Sequence, residues 1–135
     1  MARQSRVSPA ILRLMAEGAR HAWTLEDLQA GLADKSVSAD FSSVFRAAEK
    51  LAVAGTVRKL VLDDGRARFE LVHAHHDHLH CTRCGSLSAV PCLLRPGNFA
   101  ALERSAGIAI LDHHLVLSGI CRDCHALPWQ HGNAT

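Results

Sequence analysis

Two Cys-x-x-Cys pairs constrain this chain more than any other feature. "CTRC" contains Cys81 and Cys84, and "CRDC" contains Cys121 and Cys124. A turn of this spacing presents two thiolates to one metal ion, and two such turns complete a tetrahedron. Zinc suits four soft thiolates in a site without redox chemistry. The spacing therefore predicts a structural zinc site that joins the start of the second half of the chain to its end.

Other uses of these cysteines fit less well. No apolar stretch with a cleavage site follows the N-terminus, and no run reaches the roughly 18 apolar residues of a membrane span, so we predict a cytoplasmic protein. In a reducing compartment such pairs are metal ligands more often than disulfides, although disulfides and iron remain alternatives. "CRDCH" also matches a c-type haem motif, but that use needs an exported chain and leaves the first pair unused. The glutamate and P-C-x-x-C of zinc deaminases are missing.

The segment "HHDHLHCTRCG", residues 75 to 85, carries further metal-binding side chains. Alternate residues of an extended chain face the same side. His76 and His78 therefore project one way, and His75 and Asp77 project the other way. One segment can in this manner supply two metal sites. A solvated polar run is the simpler interpretation, but so many histidines beside a cysteine pair favour at least one exchangeable metal site.

Ligands from elsewhere in the chain could complete these two sites. Glu70 lies six residues before His76 and offers a hard oxygen ligand to the first site. His113 or His114, in the last predicted strand, could join the second site. Cys92 stands outside both cysteine pairs.

The charges divide the chain into two halves. Hydrophobic residues are 48% and charged residues 21%, a globular composition, and the net charge of +2 is nearly neutral. However, 11 of the 15 Lys and Arg residues precede residue 73, whereas all histidines but His21 lie at or after it. The sequence therefore predicts a basic first domain and a ligand-rich second domain, with a boundary near residues 72 to 76.

Three helices are predicted in the first domain. Ser8 can cap a short first helix with Pro9 at its first position. "TLED" at 24 to 27 has the form of a capping box for a second helix. After Ser38 as a cap, apolar residues recur at helical spacing in the third helix, and Gly55 is placed to end it.

A hairpin follows the third helix, with its turn at "DDG", residues 63 to 65. In its second strand, Ala67, Phe69 and Leu71 alternate with Arg66, Arg68 and Glu70, which predicts one apolar and one polar face. Three helices followed by a hairpin describe a winged helix-turn-helix. In the second domain, apolar runs in "SLSAV" and "IAILDHHLVLSGI" flank the helical segment "NFAALERSAG". The fold class is therefore α+β, with a winged helix followed by a small α/β unit.

The winged-helix order predicts binding to double-stranded DNA, although a basic, capped helix is often only a solvated one. The candidate contacts are the outward residues of the third helix, Ser42, Ser43 and Arg46, and the cations of the wing, Arg58, Lys59, Arg66 and Arg68. Neither a nucleophile and base pair nor a phosphate-binding glycine loop is visible, so we predict neither enzymatic activity nor a small-molecule substrate.

With these motifs the chain resembles the ferric uptake regulator family of bacterial metal-dependent repressors. "SSVFRAAEKLAVAGTVRKL" is similar to that family's recognition helix and wing, "HHDHLHCTRCG" to its hallmark, and "HHLVLSGICRDC" to its last strand and second cysteine pair. The resemblance implies a homodimer with a winged-helix DNA-binding domain at 1–74 and a dimerisation and metal-binding domain at 75–135. It implies a repressor that binds an operator.

The resemblance also implies roles for the ligands. His76, His78, Glu70 and the displaced histidine His21 correspond to the family's interdomain sensory site. His75, Asp77 and His113 correspond to an additional site in the dimerisation domain.

This chain departs from the family at several positions, including the first helix, where "RVSPAILRL" lacks the usual arginine after the proline. Ala89 and a position near Pro96 replace acidic ligands, and Phe45 replaces a tyrosine of the recognition helix. The loss of oxygen ligands favours zinc over iron as the sensed metal, with nickel or manganese as further candidates. A peroxide sensor and a zinc-stabilised protein-interaction module without DNA binding are the alternative functions.

Overall fold

The computed structural model describes residues 4–18, 20–92 and 94–126. The chain divides into two compact units, an N-terminal unit, Met1–Ala74, and a C-terminal unit, His75–Thr135. The elements, in chain order, are α1 Gln4–Glu17, α2 Leu25–Asp34, α3 Phe41–Val53, β1 Val57–Val61, β2 Ala67–Leu71, β3 Asp77–Cys81, β4 Leu87–Val90, α4 Pro96–Ala106, β5 Val116–Gly119 and α5 Arg122–His125. The predicted α+β class is confirmed. None of the described helices has the length and apolar character needed to cross a lipid bilayer.

Helix α1 begins before Pro9, so the prediction of a start at Ser8 and Pro9 is wrong. Val7, Ile11 and Leu14 are buried on one helical face, which extends the apolar stripe into the turn before the proline. Pro9 is exposed and removes one intrahelical hydrogen bond near the start of the helix. Burying a side chain such as Val7 contributes roughly 1.5–3 kcal/mol, which favours the longer helix.

Side chains cap the next two helices. The predicted capping box of α2 is confirmed, because the Thr24 amide donates to Asp27 Oδ2 over 3.0 Å and the Asp27 amide donates to Thr24 Oγ1 over 3.1 Å. Helix α3 is capped by Asp40 rather than by Ser38, which corrects that prediction. Asp40 Oδ1 accepts the Ser43 amide over 2.8 Å, and Ser38 is exposed before the helix.

The three helices pack around one apolar core in the N-terminal unit. The apolar stripe predicted for α3 is buried at Val44, Ala48 and Leu51, whereas Phe41 and Phe45 are exposed, which corrects their assignment to the core. Gly31 allows close helix packing, since a Cβ there would lie 2.7 Å from Leu14 Cδ2. The buried members of the core are Val7, Ile11, Leu14, Met15, Trp23, Leu28, Leu32, Val44, Ala47, Ala48, Leu51, Val57 and Phe69.

Strands β1 and β2 form the antiparallel wing, and Gly65 in its turn has a φ of 75°. The predicted apolar and polar faces of β2 are only half right. Arg68 and Glu70 are buried with exposures of 5% and 1%, as is Phe69 between them. The segment before α2 covers this strand: Trp23 pairs with Phe69, and His21 lies against Glu70.

The C-terminal unit contains a three-stranded sheet in the order β4-β3-β5. Strand β3 runs antiparallel to β4 and parallel to β5, with Cys81 opposite Gly119. The long last strand expected from the sequence is shorter, since β5 begins only at Val116. Asp77 Oδ1 accepts the Leu115 amide over 3.2 Å, so a side chain takes the bond that pairing would need just before the strand.

Buried polar groups outnumber buried apolar groups in the C-terminal unit. Among its described residues, Cys81 and Cys124 are the only buried residues of the apolar class. Its buried polar side chains are His76, Asp77, His78 and His80. A unit of this size without an aliphatic core needs another source of stability, such as a metal or a partner.

Candidate metal centres and nucleic-acid surface

The four cysteines meet because of the register of the parallel strands. Cys81 ends β3 opposite Gly119, and Cys121 follows two residues after that glycine. Cys84 Sγ lies 3.8 Å from Cys121 Sγ, and the ligand atoms of the whole four-cysteine cluster lie within 4.8 Å of one another. None of the five cysteines forms a disulfide.

Hydrogen bonds between the two turns hold the four-cysteine cluster together. The Cys121 amide donates to Cys81 Sγ over 3.3 Å, and Thr82 donates its amide to the Gly119 carbonyl over 2.9 Å. Arg83 Nη1 donates to the Cys124 carbonyl over 2.9 Å. The two turns are therefore fixed to each other at the distance that a shared ion requires.

The electrostatics of the four-cysteine cluster suit a divalent cation. Burial raises the pKa of Cys81, but the amides of Cys84, Cys121 and Arg83 lower it by more, so that the pKa is about 6. In contrast, the Cys121 thiol and burial raise the pKa of Cys124 to about 12. Four crowded thiols cannot all ionise without a compensating positive charge. The donor set therefore fits zinc, which would balance these charges in a closed site.

A cluster of three imidazoles in the C-terminal unit consists of His76, His78 and His114. His76 Nε2 lies 3.1 Å from His78 Nε2, and both histidines are buried. On its other nitrogen, His78 Nδ1 lies 2.8 Å from His114 Nε2. The sequence offered His113 and His114 as equal partners for His75, but the structure separates them. His114 contacts His78 and fixes the orientation of its ring.

A third group is formed around His75 and Asp77, which alternate with His76 and His78 along the chain. His75 Nε2 lies 2.9 Å from His113 Nε2, and Asp77 Oδ1 lies 3.7 and 3.5 Å from those two nitrogens. Cys92 Sγ lies 3.4 Å from His113 Nε2. Sequence reasoning missed Cys92 because no spacing links it to this segment.

The Asp77 carboxylate is held in its charged form. Burial raises the pKa of Asp77, but the Leu115 amide, the Cys92 thiol and the nearby His113 and His75 lower it below its ordinary value. A buried carboxylate is a ligand for a cation at neutral pH.

The N-terminal unit contains a separate carboxylate and imidazole pair. His21 Nε2 lies 2.6 Å from Glu70 Oε2, and Glu70 is 1% exposed. The ring of His73 meets His21 edge to face, with 5.9 Å between centroids. Imidazole and carboxylate groups are both common metal ligands.

Helix α3 presents a mixed apolar and polar surface away from the core. Ser42 and Arg46 are exposed, whereas Ser43 is half-buried and its amide is used by Asp40. Phe41 and Phe45, one turn apart, are 45% and 44% exposed. Aromatic and basic side chains on one helical face can contact thymine methyl groups, base edges and phosphates.

The four predicted cations of the wing differ in their surroundings. Lys59 pairs with Glu49, and Arg66 Nη2 lies 3.4 Å from Glu26 Oε2, whereas Arg58 forms no ion pair with any described residue. Arg68 differs from the prediction of an exposed phosphate contact. It is 5% exposed, and its Nη1 and Nη2 donate to the two oxygens of Asp64 over 2.9 and 2.7 Å, across the turn of the wing. Its arrangement stabilises the turn.

A family model described as "Ferric uptake regulator family" matches residues 2–118. The chain is 31% identical over 100 residues to the ferric uptake regulation protein of Bordetella parapertussis, covering 73% of this chain and 72% of the relative. Identity to the ferric uptake regulation protein of Neisseria gonorrhoeae is 29% over 120 residues, covering 86% and 81%. The peroxide operon regulator of Bacillus subtilis is 27% identical over 124 residues, covering 88% and 83%.

Solved structures with the same fold include the ferric uptake regulator of Vibrio cholerae, with a TM-score of 0.76 at 24% identity, covering 86% of this chain and 89% of that one. The structure of FurB from M. tuberculosis, described as a zinc uptake regulator, gives a TM-score of 0.53 at 25% identity. That match covers 91% of this chain and 95% of the other.

Proposed function

The chain belongs to the ferric uptake regulator family, and on this premise we propose that it is a metal-responsive repressor that binds a DNA operator as a homodimer. Members of this family are transcription regulators and not enzymes, in agreement with the sequence prediction. We propose that this protein acts in the cytoplasm and controls metal uptake or homeostasis. One observation carries the proposal: an exposed, aromatic and basic α3 surface occurs in the same chain as buried imidazole and carboxylate ligands.

The DNA-binding part of the proposal rests on α3 and the wing. Arg46 is exposed on α3 and forms no ion pair with any described residue, so its guanidinium is available for a base or a phosphate. Ser42 lies beside it. The wing cations Arg58, Lys59 and Arg66 would contact phosphates, which position the protein on the duplex. Arg68 would support the wing through Asp64 instead.

The three proposed metal sites have different roles. Cys81, Cys84, Cys121 and Cys124 would hold a structural zinc ion. His21, Glu70, His76 and His78 would bind the sensed metal. His75, Asp77 and His113 would form an additional site. When bound, the sensed metal would favour the arrangement of the dimer in which both recognition helices reach successive major grooves.

We favour zinc as the sensed metal, with ferrous iron as the main alternative. Ala89, where the family has an acidic ligand, stands opposite His78 in the β3–β4 pairing and offers no oxygen ligand. Imidazole-rich sites with few hard oxygen ligands suit zinc better than iron. Peroxide sensing is an alternative, because the chain is similar to a peroxide operon regulator. However, peroxide sensors of this family are associated with an aspartate at the position of Glu70.

A homodimer would supply the burial that the C-terminal unit lacks. Leu79 and Leu117 are opposite each other in the parallel pairing, and they are 40% and 41% exposed on the same face of the sheet. Two apolar residues paired on an open face are typical of a surface that another chain covers.

The test is operator affinity against free zinc, measured by gel shift after exchangeable metal has been removed with a chelator. The parent should gain DNA affinity with added zinc. His76→Ala and His78→Ala should keep the structural zinc and the dimer but fail to gain affinity. His125→Ala is the matched control, because it removes an exposed imidazole outside the ligand groups.

A parent protein that never binds the operator, with or without zinc or ferrous iron, would favour the protein-interaction alternative. A normal zinc response in His76→Ala would remove this residue from the sensory site. The same titration with ferrous iron in the absence of oxygen decides between the two metals.

A further inference from the structure

The geometry points to Cys92 as the fourth ligand of a second zinc site, formed with His75, Asp77 and His113 inside the C-terminal unit. This inference deepens the proposed function, since it rests on the additional site proposed above. Cys92 lies in the segment between β4 and α4, outside both Cys-x-x-Cys pairs.

The separations between the ligand atoms, all within 4.8 Å of one another, suit a tetrahedral zinc site. Zinc bonds of about 2.0–2.3 Å in tetrahedral geometry separate neighbouring ligands by about 3.3–3.7 Å. Cys92 Sγ is 3.4 Å from His113 Nε2, and Asp77 Oδ1 is 3.5 Å from the same nitrogen and 3.7 Å from His75 Nε2. The two histidine nitrogens, at 2.9 Å, would have to move slightly apart.

A buried oxygen supplies independent support. Asp77 is 1% exposed, and its Oδ2 forms no hydrogen bond with any described residue, whereas its Oδ1 accepts the Leu115 amide. A buried carboxylate oxygen without a partner is costly, and native structures usually satisfy such a group or use it. A cation bound by both carboxylate oxygens at the centre of these ligands would satisfy it.

The four ligands come from structurally fixed positions. Asp77 begins β3, where pairing with Val90 of β4 sets its backbone. The ring of His113 packs against Phe99 of α4, with 5.0 Å between centroids. The Cys92 thiol donates a hydrogen bond to the Leu94 carbonyl over 3.6 Å. When the thiol loses its proton, this bond is lost and the sulfur would be able to turn to the ion.

Cys92 also changes the type of metal that the site selects. Asp77 is the only carboxylate in this group of four side chains. The half-buried Cys92 adds a soft sulfur beside that hard oxygen. Two imidazoles, one carboxylate and one thiolate favour zinc over manganese or iron.

The experiment uses the full chain with its structural zinc retained and its exchangeable metal removed by a mild chelator. Added Co²⁺ reports on the second site, because only a thiolate ligand produces a near-ultraviolet charge-transfer band and the other four cysteines are occupied by zinc. The variants are Cys92→Ser and His75→Ala, with His125→Ala as the matched control. Circular dichroism checks that each variant is folded.

The parent and His125→Ala should show the band, and Cys92→Ser should lack it. In the parent, zinc should slow the alkylation of Cys92, measured by peptide mass spectrometry, by more than about tenfold. The affinity of the second site for zinc should fall by more than about tenfold in Cys92→Ser and in His75→Ala.

A parent without the band, or a Cys92→Ser variant with unchanged zinc affinity, would overturn the inference. If His75→Ala alone lost the second zinc, the additional site would stand with three protein ligands and Cys92 would be excluded. If neither variant lost zinc, the additional site itself would fail, while the metal response of DNA binding would still test the proposed function separately.

Discussion

Replacing Cys124 with serine removes a buried thiolate from the four-cysteine cluster. Structural zinc sites bind with about 10–16 kcal/mol, so an equal share for each of four thiolates is roughly 2.5–4 kcal/mol. Leaving a serine hydroxyl without a metal at a site that is 9% exposed adds about 1 kcal/mol or more. The expected cost is therefore about 4 kcal/mol.

That cost is comparable to the whole stability of the C-terminal unit. At about 0.05–0.15 kcal/mol per residue, the unit His75–Thr135 would be stable by only about 3–9 kcal/mol. Its described residues include no buried aliphatic or aromatic side chain that could offset the loss. The N-terminal unit, which has its own apolar core, should remain folded.

The assay combines three measurements on Cys124→Ser and its parent. Zinc per chain after dialysis against a chelator should fall to zero, sedimentation should show loss of the dimer, and thermal unfolding should lose the transition of the C-terminal unit. Cys92→Ser, a control that removes a thiol outside the four-cysteine cluster, should keep the chelator-resistant zinc. A dimeric Cys124→Ser protein that retained one zinc per chain would refute a structural role for the cluster.

Two further predictions concern the N-terminal unit. Arg46→Ala should weaken operator binding by roughly 1–3 kcal/mol in a gel shift, and unchanged affinity would remove the exposed face of α3 from the DNA interface. In contrast, Arg68→Ala should mainly lower thermal stability, because Arg68 is bonded to Asp64. Burial raises the pKa of Asp27, but the Thr24 amide and Arg20 hold this pKa below its ordinary value of 3.8. The ionised carboxylate therefore stabilises the fold above pH 3.8, and this stabilisation is lost as the pH falls through the lower pKa of the folded protein. Asp27→Asn should therefore cost about 1 kcal/mol at neutral pH, and urea unfolding that shows the same cost in strong acid would contradict this.

Short-range patterns explain what the sequence could predict. The spacing of each cysteine pair, the Thr24–Asp27 capping box and the apolar stripe of α3 involve residues within a few positions of each other. Local backbone geometry determines which of these side chains share a face or a turn, so no knowledge of the rest of the chain is required. The separation of His76 and His78 from His75 and Asp77 follows from the same rule.

Tertiary contacts decided the remaining features. Cys92 joins His113, 21 residues away, only because of where the segment after β4 lies, and His114 rather than His113 contacts His78 for a similar reason. Arg68 is buried because the wing turn supplies Asp64 as a partner for its charge. Burial and ligand pairing depend on which segments pack against a residue. The sequence by itself therefore determined the presence of the first three helices, the cysteine turns and the alternation of ligands. The tertiary structure decided where α1 begins and which distant side chains complete each group.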